Sequence, residues 1–332
     1  MKSRELGKSG IRASAVAFGA WAIGGWKWGG TDAEDSVLAI RAALDAGMTM
    51  IDTAAVYGFG LSETLVGRAI AGRPRDEIVV ATKCGLRWDL ETATLHAESE
   101  GRRICRTLAE ASIREELDQS LSRLGVDHVD LYQTHWPDPE TPLESVIGTL
   151  EALVAEGKIR AWGFCNSDPD SLRIAATNGS PATDQERYSL LDREEDERNL
   201  PVCLQENLGF LAYSPIAQGL LTGRIDGRRE FGGGDLRRDS PRFAPRVLEA
   251  VQAVLAPVKA LARDRDATVE QLVLAWTLAR PGVSHVLVGT RSVEQAVSNA
   301  AAGRLDLAAE ELDVVEQAAS AWPGFDALTS DA

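Results

Sequence analysis

The amino-acid sequence predicts a (β/α)8 barrel with an N-terminal β-hairpin and extra helices before the last strand and at the C-terminus. Three observations lead there. From residue 11 onward, short apolar runs alternate with longer amphipathic stretches, the pattern of parallel strands joined by crossover helices. Eight such runs occur, and eight units fit a closed barrel better than an open sheet. No linker divides the 332 residues, so 1–332 reads as one domain of a length ordinary for barrels.

Each element has its own local reason. The segment 4–12, turning at Ser9 and Gly10, reads as the hairpin. Strands are expected at 15–19, 48–52, 78–83, 129–135, 161–166, 183–187, 209–214 and 286–289. Between them, 32–46, 62–71, 107–124, 142–156, 169–176 and 292–302 carry helical spacing, while 247–263 and 268–280 add two helices before the last strand. Thr31 and Glu34 have the spacing of a capping box, Asp168 ahead of Pro169 suits an N-cap, and Gly47, Gly125 and Gly157 fall where C-terminal caps belong. Segment 222–242, with Gly232, Gly233 and Gly234 at its centre, is too long for a plain connector. It reads either as loose surface or as a lid over a ligand.

Composition narrows the function. Hydrophobic residues make up 44% and charged residues 26%, globular proportions that argue against disorder. Fifty acidic against thirty-five basic residues give a formal net charge of -15, a field that repels nucleic acid and anionic membranes. Neither is expected as a partner, although a small phosphorylated ligand answers to local donors rather than to net charge. The first ten residues lack an apolar signal core, and the run 13–25 is shorter than the ~18–20 residues that span a bilayer, so a cytoplasmic location is expected. Cys84, Cys105, Cys165 and Cys203 form no C-x-x-C pair, and His96, His128, His135 and His285 lack ligand spacing. Buried reduced thiols and no metal are the expectation.

In a barrel of this type the chemistry sits at the C-terminal ends of the strands. Asp52 ends the second expected strand, Tyr57 follows in the same loop, Lys83 ends the third and His135 the fourth. Singly, each would read as a structural residue; together they form a proton-transfer set. An adjacent ammonium favours the phenolate of a tyrosine and lowers its pKa, which Lys83 would do for Tyr57. Asp52 would hold Lys83 charged, and a neutral His135 would orient and polarise a carbonyl. Trp21, Trp26 and Trp28 crowd into a Gly-rich loop after the first strand and are expected to wall an apolar pocket.

These residues resemble the aldo-keto reductases. The matching segments are DTAAVYGFGLSE at 52–63, VVATKCG at 79–85, DLYQTHWPDP at 130–139, GKIRAWGFCN at 157–166, LAYSPIAQGLLTG at 211–223 and VGTRSVEQAVSN at 288–299. They span the chain in order, and YSLLDRE at 188–194 looks most like the bacterial branch acting on sugars, inositols and small aldehydes. The resemblance implies that Tyr57 is the general acid, Lys83 and Asp52 tune it, and His135 orients the substrate. It implies an NADP-dependent interconversion of a carbonyl and an alcohol. Asn166 and Gln185 would then hold the nicotinamide carboxamide and Tyr213 would stack on the ring. Ser214, Pro215, Ile216, Gln218, Gly219, Leu220 and Leu221 would wrap the pyrophosphate.

At the adenosine end, Gly289, Thr290 and Arg291 lead into a helix whose N-terminal amides suit a phosphate, with Gln295 and Asn299 on the same helix face. Arg291 reading a phosphate favours NADP; capping a solvated surface is its plainer use. Two departures stand out: Cys165 where the family often has Ser, and Ser298 where an acidic residue often precedes Asn299. They loosen the expected grip and leave NAD open as a second cofactor. Trp21, Trp26, Trp88, Trp136 and Arg87 would wall the substrate, a small carbonyl compound or sugar. Oligomeric state has no clear signal, since the outer helices show no heptad.

Gly58, Phe59 and Gly60 follow a strand and precede a helix, but Glu63 stands where the dinucleotide fingerprint needs a third Gly. Gly7, Lys8 and Ser9 lack the upstream Gly of a phosphate-binding loop. A cofactor-binding regulatory subunit with little turnover, and a cofactor-free hydrolase using Asp52 with another carboxylate, are the alternatives of a different class.

Overall fold

The computed structural model describes residues 1–90 and 93–329. Two short strands, β1 (Ser3–Glu5) and β2 (Arg12–Ser14), form the antiparallel hairpin. The barrel strands follow: β3 (Val16–Gly19), β4 (Met50–Asp52), β5 (Val79–Cys84), then, after a small sheet of β6 (Leu86–Arg87), β7 (Thr94–Ser99) and β8 (Arg102–Arg106), β9 (Val129–Thr134), β10 (Ile159–Cys165), β11 (Thr183–Arg187), β12 (Gly209–Tyr213) and β13 (Val283–Gly289). The eight pair in parallel and close in the order β3, β4, β5, β9, β10, β11, β12, β13 and back to β3.

Helices α1 (Ala33–Asp45), α2 (Leu61–Ile70), α3 (Glu110–Leu124), α4 (Leu143–Ala155), α5 (Pro169–Asn178) and α6 (Asn199–Glu206) wrap the barrel. Before β13 come α7 (Pro245–Asp264) and α8 (Val269–Ala279); after it come α9 (Val293–Ala302), α10 (Ala309–Ser320) and α11 (Phe325–Thr329). Among the described residues no helix is long and apolar enough to cross a membrane.

The period-2 alternation of each strand sorts its side chains between two cores. Ala17, Met50, Val79, Ala81, Leu131, Ala161, Leu211 and Leu287 point into the barrel and pack on Leu6 and Ile11 of the hairpin, which plugs its N-terminal end. Val16, Ile51, Val80, Tyr132, Trp162 and Phe210 point outward to the helices. The inward position after Met50 and Ala81 is Asp52 and Lys83 respectively, so the same alternation delivers polar groups to the C-terminal mouth.

Several local expectations change. Thr31 and Glu34 form no capping box: Asp32 caps α1, its carboxylate accepting from the amides of Glu34 and Asp35 at 2.9 Å each. A carboxylate reaches those amides from the N-cap position itself and also favours the helix dipole. Asp168 caps α5 as expected, and Gly125, with φ of 67°, closes α3 in the left-handed region. The β6–β8 sheet and α6 were not expected. Their stretches are short, and the hairpin is inserted between a barrel strand and its helix without adding to the count of eight. All four cysteines are free and buried.

Segment 222–242 lies against the tryptophan loop through a bridge between Trp28 and Asp235 and amide contacts from Gly29 to Gly234 and from Leu236 to Lys27. Of the two readings of that segment, the packing agrees with a cover. For the fold, Asp32→Ala removes one cap and should lower unfolding stability by about 1 kcal/mol, read as a shifted denaturation midpoint with an unchanged slope.

Candidate active site

Four elements deliver the central cluster. Lys83, its side chain fully enclosed, donates from Nζ to Asp52 Oδ2 at 2.7 Å, to the Thr53 carbonyl at 2.9 Å and to Tyr57 Oη at 3.3 Å. Gln185 Nε2 donates to the other Asp52 oxygen at 2.9 Å. Asp52 is thereby satisfied on both oxygens, a requirement for any buried carboxylate. The Tyr57 loop is pressed close to the tryptophan loop. A Cβ on Gly24 would stand 2.8 Å from the Tyr57 carbonyl carbon, and one on Gly58, whose φ is 64°, would stand 2.2 Å from the Gly24 oxygen. Only glycine allows that approach. His135 meets the Tyr57 ring edge-on, with centroids 5.6 Å apart.

Electrostatics fix the protonation states. Burial pushes the Tyr57 phenol up to about 12; the Lys83 ammonium works against that rise and the Asp52 carboxylate adds to it. The expectation that Lys83 lowers the tyrosine is therefore corrected in its net sign. Desolvation of the phenolate outweighs the neighbouring charge, and the hydroxyl stays protonated at neutral pH. For Lys83, burial opposes the charge, but Asp52, Tyr57 and Cys165 together hold the ammonium above its ordinary value. His135 is held well below its usual value by burial, Lys83 and His96, so it is neutral. The cluster can thus present a neutral imidazole and a protonated phenol to an oxygen.

Above it opens a cavity of about 840 Å3, within the range of small-molecule and cofactor sites. Its inner end is walled by Trp21, Trp26, Trp136, Tyr57 and His135. Asn166, Gln185 and Tyr213 stand in the middle, where the Tyr213 hydroxyl donates to Asn166 Oδ1 at 2.8 Å and Asn166 Nδ2 donates to the His135 carbonyl at 3.0 Å. Farther out, Ser214, Pro215, Ile216, Gln218 and Gly219 form one wall, and Gly289, Arg291, Gln295 and Asn299 the other.

That outer groove fits a nicotinamide dinucleotide. Ser214, Gln218 and Gly219 have φ of 54°, 55° and 101°, a run of left-handed backbone that exposes peptide groups to the groove. Opposite, the N-terminus of α9 opens onto it, capped by Ser292. Arg291 reaches back to the tryptophan loop, donating to the Trp28 and Gly30 carbonyls at 3.1 and 2.7 Å.

Some expected residues stand elsewhere. Arg87 is not part of the substrate wall: it is buried in a bidentate pair with Asp89 at 2.6 and 2.7 Å and a contact to Glu115 at 3.0 Å. Its guanidinium needs those acidic partners once buried, and they lie away from the cavity. Trp88 packs edge-on against Phe59, outside the cavity. Leu220 and Leu221 are buried in the apolar cluster under α7 and α8. Thr290 lies behind the groove, accepting from Asn299 at 3.0 Å. Lys83 acts from beneath, without lining the cavity.

The sequence reading missed His96, which lies on β7, faces Trp136 at 5.2 Å and lines the cavity. The signal was a Glu100-Gly101 turn, with φ of 52° and 70°, between two alternating runs. It also missed Arg224, Arg229 and Arg237, brought to the cavity by segment 222–242.

The buried pair generates a test. Lys83→Met leaves the Asp52 carboxylate without its cation and should cost about 3–5 kcal/mol, read as a lowered unfolding midpoint. Adding Asp52→Asn should recover most of that loss; additive losses would show that the two are not coupled.

Comparison with known proteins agrees with this geometry. Residues 15–320 match the family model described as "Aldo/keto reductase family". An aldo-keto reductase of Bacillus subtilis is 39% identical over 298 residues, covering 89% of this chain and 86% of that protein. An NADH-specific methylglyoxal reductase of Escherichia coli is 36% identical over 97% of this chain and 99% of its own. Among solved structures, a glycerol dehydrogenase of Gluconobacter oxydans superposes with a TM-score of 0.86 at 36% identity, over 97% of this chain and 96% of that one. A Klebsiella pneumoniae aldo-keto reductase in complex with NADPH gives 0.71 at 30% identity, over 98% and 96%. On that coverage the chain belongs to the aldo/keto reductase family of NAD(P)-dependent oxidoreductases.

Proposed function

We propose that the chain interconverts a small aldehyde, ketone or sugar carbonyl with the corresponding alcohol, with Tyr57 as the general acid and base. The observation that carries this reading is a protonated phenol 3.3 Å from an enclosed ammonium, inside a cavity whose outer groove fits a dinucleotide. A bound nicotinamide dinucleotide supplies the hydride for reduction and takes it up in oxidation.

The chain's own residues do the rest. Neutral His135 and the Tyr57 hydroxyl meet the carbonyl oxygen from two sides, one orienting it and the other ready to protonate it. As the phenol gives up its proton, the Lys83 ammonium stabilises the developing phenolate and Asp52 keeps Lys83 in place. Asn166 Oδ1 and Gln185 Oε1 keep a lone pair free for an amide N–H, and Tyr213 supplies the ring that stacks. The Cys165 thiol donates to Gln185 Oε1 at 3.6 Å and accepts from Asn166 Nδ2 at 3.2 Å, so it supports those two amides rather than the carboxamide directly.

NADP is the cofactor this reading favours, with NAD also accepted. Arg291 uses two of its five N–H groups on the tryptophan loop and keeps three for a 2′-phosphate. Glu294 on the same helix end works against that phosphate. Klebsiella pneumoniae relatives carry NADPH or NADP, whereas the Escherichia coli relative is NADH-specific.

Tyr57→Phe should retain dinucleotide binding and lose at least about 100-fold in turnover of an aldehyde and sugar panel. Undiminished turnover would reject Tyr57, and tight dinucleotide binding by the unaltered chain without any turnover would favour a regulatory role. Arg291→Ala should raise KM for NADPH about tenfold while changing that for NADH little. Equal effects on both would mean that Arg291 does not read the phosphate.

A further inference from the structure

Outside the barrel, directly behind the middle of the cavity, lies a cluster that the reaction does not use. Asp184 and Glu186 flank Gln185 on β11, so the alternation that turns Gln185 inward turns both carboxyls outward, where they are buried under α6. Both converge on Ser167, the residue after Asn166. The Ser167 amide donates to Glu186 Oε1 at 2.7 Å and its hydroxyl to Asp184 Oδ1 at 2.8 Å. Asn199 completes the clamp, donating from Nδ2 to the Ser167 carbonyl at 3.0 Å and to Asp184 Oδ2 at 2.9 Å. Asn166 itself, held in this turn, has φ of 56°, a conformation that costs a non-glycine residue energy unless its neighbours impose it.

We infer that Glu186, together with Asp184, is a positioning residue: the carboxyl pair locks the 166–167 turn, and through it the Asn166 amide, against the bound nicotinamide. The inference rests on the dinucleotide reading of the cavity.

Charge makes the device pH-sensitive. Among the described residues, no cation pairs with either carboxyl. The other titratable neighbours are Glu195, whose own partner is Arg198, the Cys203 and Cys165 thiols and the Tyr213 hydroxyl, the last three all held above their ordinary values by burial. Burial and the repulsion of neighbouring carboxylates push both groups above the carboxylate range. Near neutral pH the pair retains a proton, which limits the repulsion between the two carboxyls. Raising the pH removes that proton and leaves two buried carboxylates face to face, which loosens the turn. Tyr57 does not contribute to this loss, because it stays protonated up to about 12.

Titration of the full-length protein with NADPH and with NADH, followed by tryptophan fluorescence from pH 6 to pH 10, tests the inference. Wild-type affinity should weaken toward alkaline pH. E186Q keeps the acceptor for Ser167 and cannot ionise, so it should bind as wild type at pH 7 and hold that affinity when the pH rises. E186L loses the acceptor and should bind about tenfold more weakly at pH 7, with its unfolding midpoint recorded alongside. An E186Q profile that follows the wild-type one, or E186L binding as wild type does, overturns the inference. No binding of either dinucleotide by the wild-type chain overturns the cofactor reading beneath it, a separate and recognisable result.

Discussion

The ion pair between Lys83 and Asp52 is the constraint around which the barrel mouth is organised. An ammonium with no exposed surface is tolerated only where a carboxylate and further acceptors replace its water, and Asp52, the Thr53 carbonyl and Tyr57 do so. Each partner then has its own consequence. Asp52 needs a second donor, which fixes Gln185. Tyr57 must approach within hydrogen-bond reach, which draws its loop against the tryptophan loop through Gly24 and Gly58. His135 is kept neutral chiefly by its burial, with the same enclosed charge adding to the effect. One interaction therefore sets the donor at the inner end of the cavity, the amide in its middle and the position of the aromatic wall.

Much of this was legible because barrel strands repeat with a period of two. Once Met50 and Ala81 are assigned inward, Asp52 and Lys83 fall at the mouth without any further information. The sign of the Tyr57 shift was not legible: it depends on how completely the phenol is buried, and burial is a property of the packed loops rather than of the strand. Arg87 shows the same limit from the other side. Its place in the loop after the third expected strand suggested a pocket residue, yet Asp89 and Glu115 claim its guanidinium. Only the tertiary contact between β6 and α3 brings Glu115 there. His96 was hidden because a short hairpin inserted between a strand and its helix does not disturb the eightfold count.

The two ends of the cavity are also tied together physically. Arg291 at the start of α9 holds the carbonyls of Trp28 and Gly30, while Arg237 of the facing segment stacks on the Trp28 ring at 4.8 Å. Trp28 meets Trp21 edge-on at 5.4 Å, and Trp21 lies 6.2 Å from the Tyr57 ring. The loop that walls the cavity is thus anchored by the residue expected at the cofactor's adenosine end.

Chemistry at the mouth and support behind it obey different rules, and that difference explains why the support is harder to read. Polar residues facing the cavity must match a ligand, so their types at strand ends suggest a reaction. Asp184 and Glu186 face helices, where a carboxyl ordinarily signals an exposed surface. Here α6 covers them, and the short apolar stretch that builds α6 carries Asn199 to the one place where both carboxyls and Ser167 can be satisfied together. A buried acidic pair without a cation is stable only while it holds a proton, so the turn bearing Asn166 inherits a dependence on pH that no residue lining the cavity would impose on it.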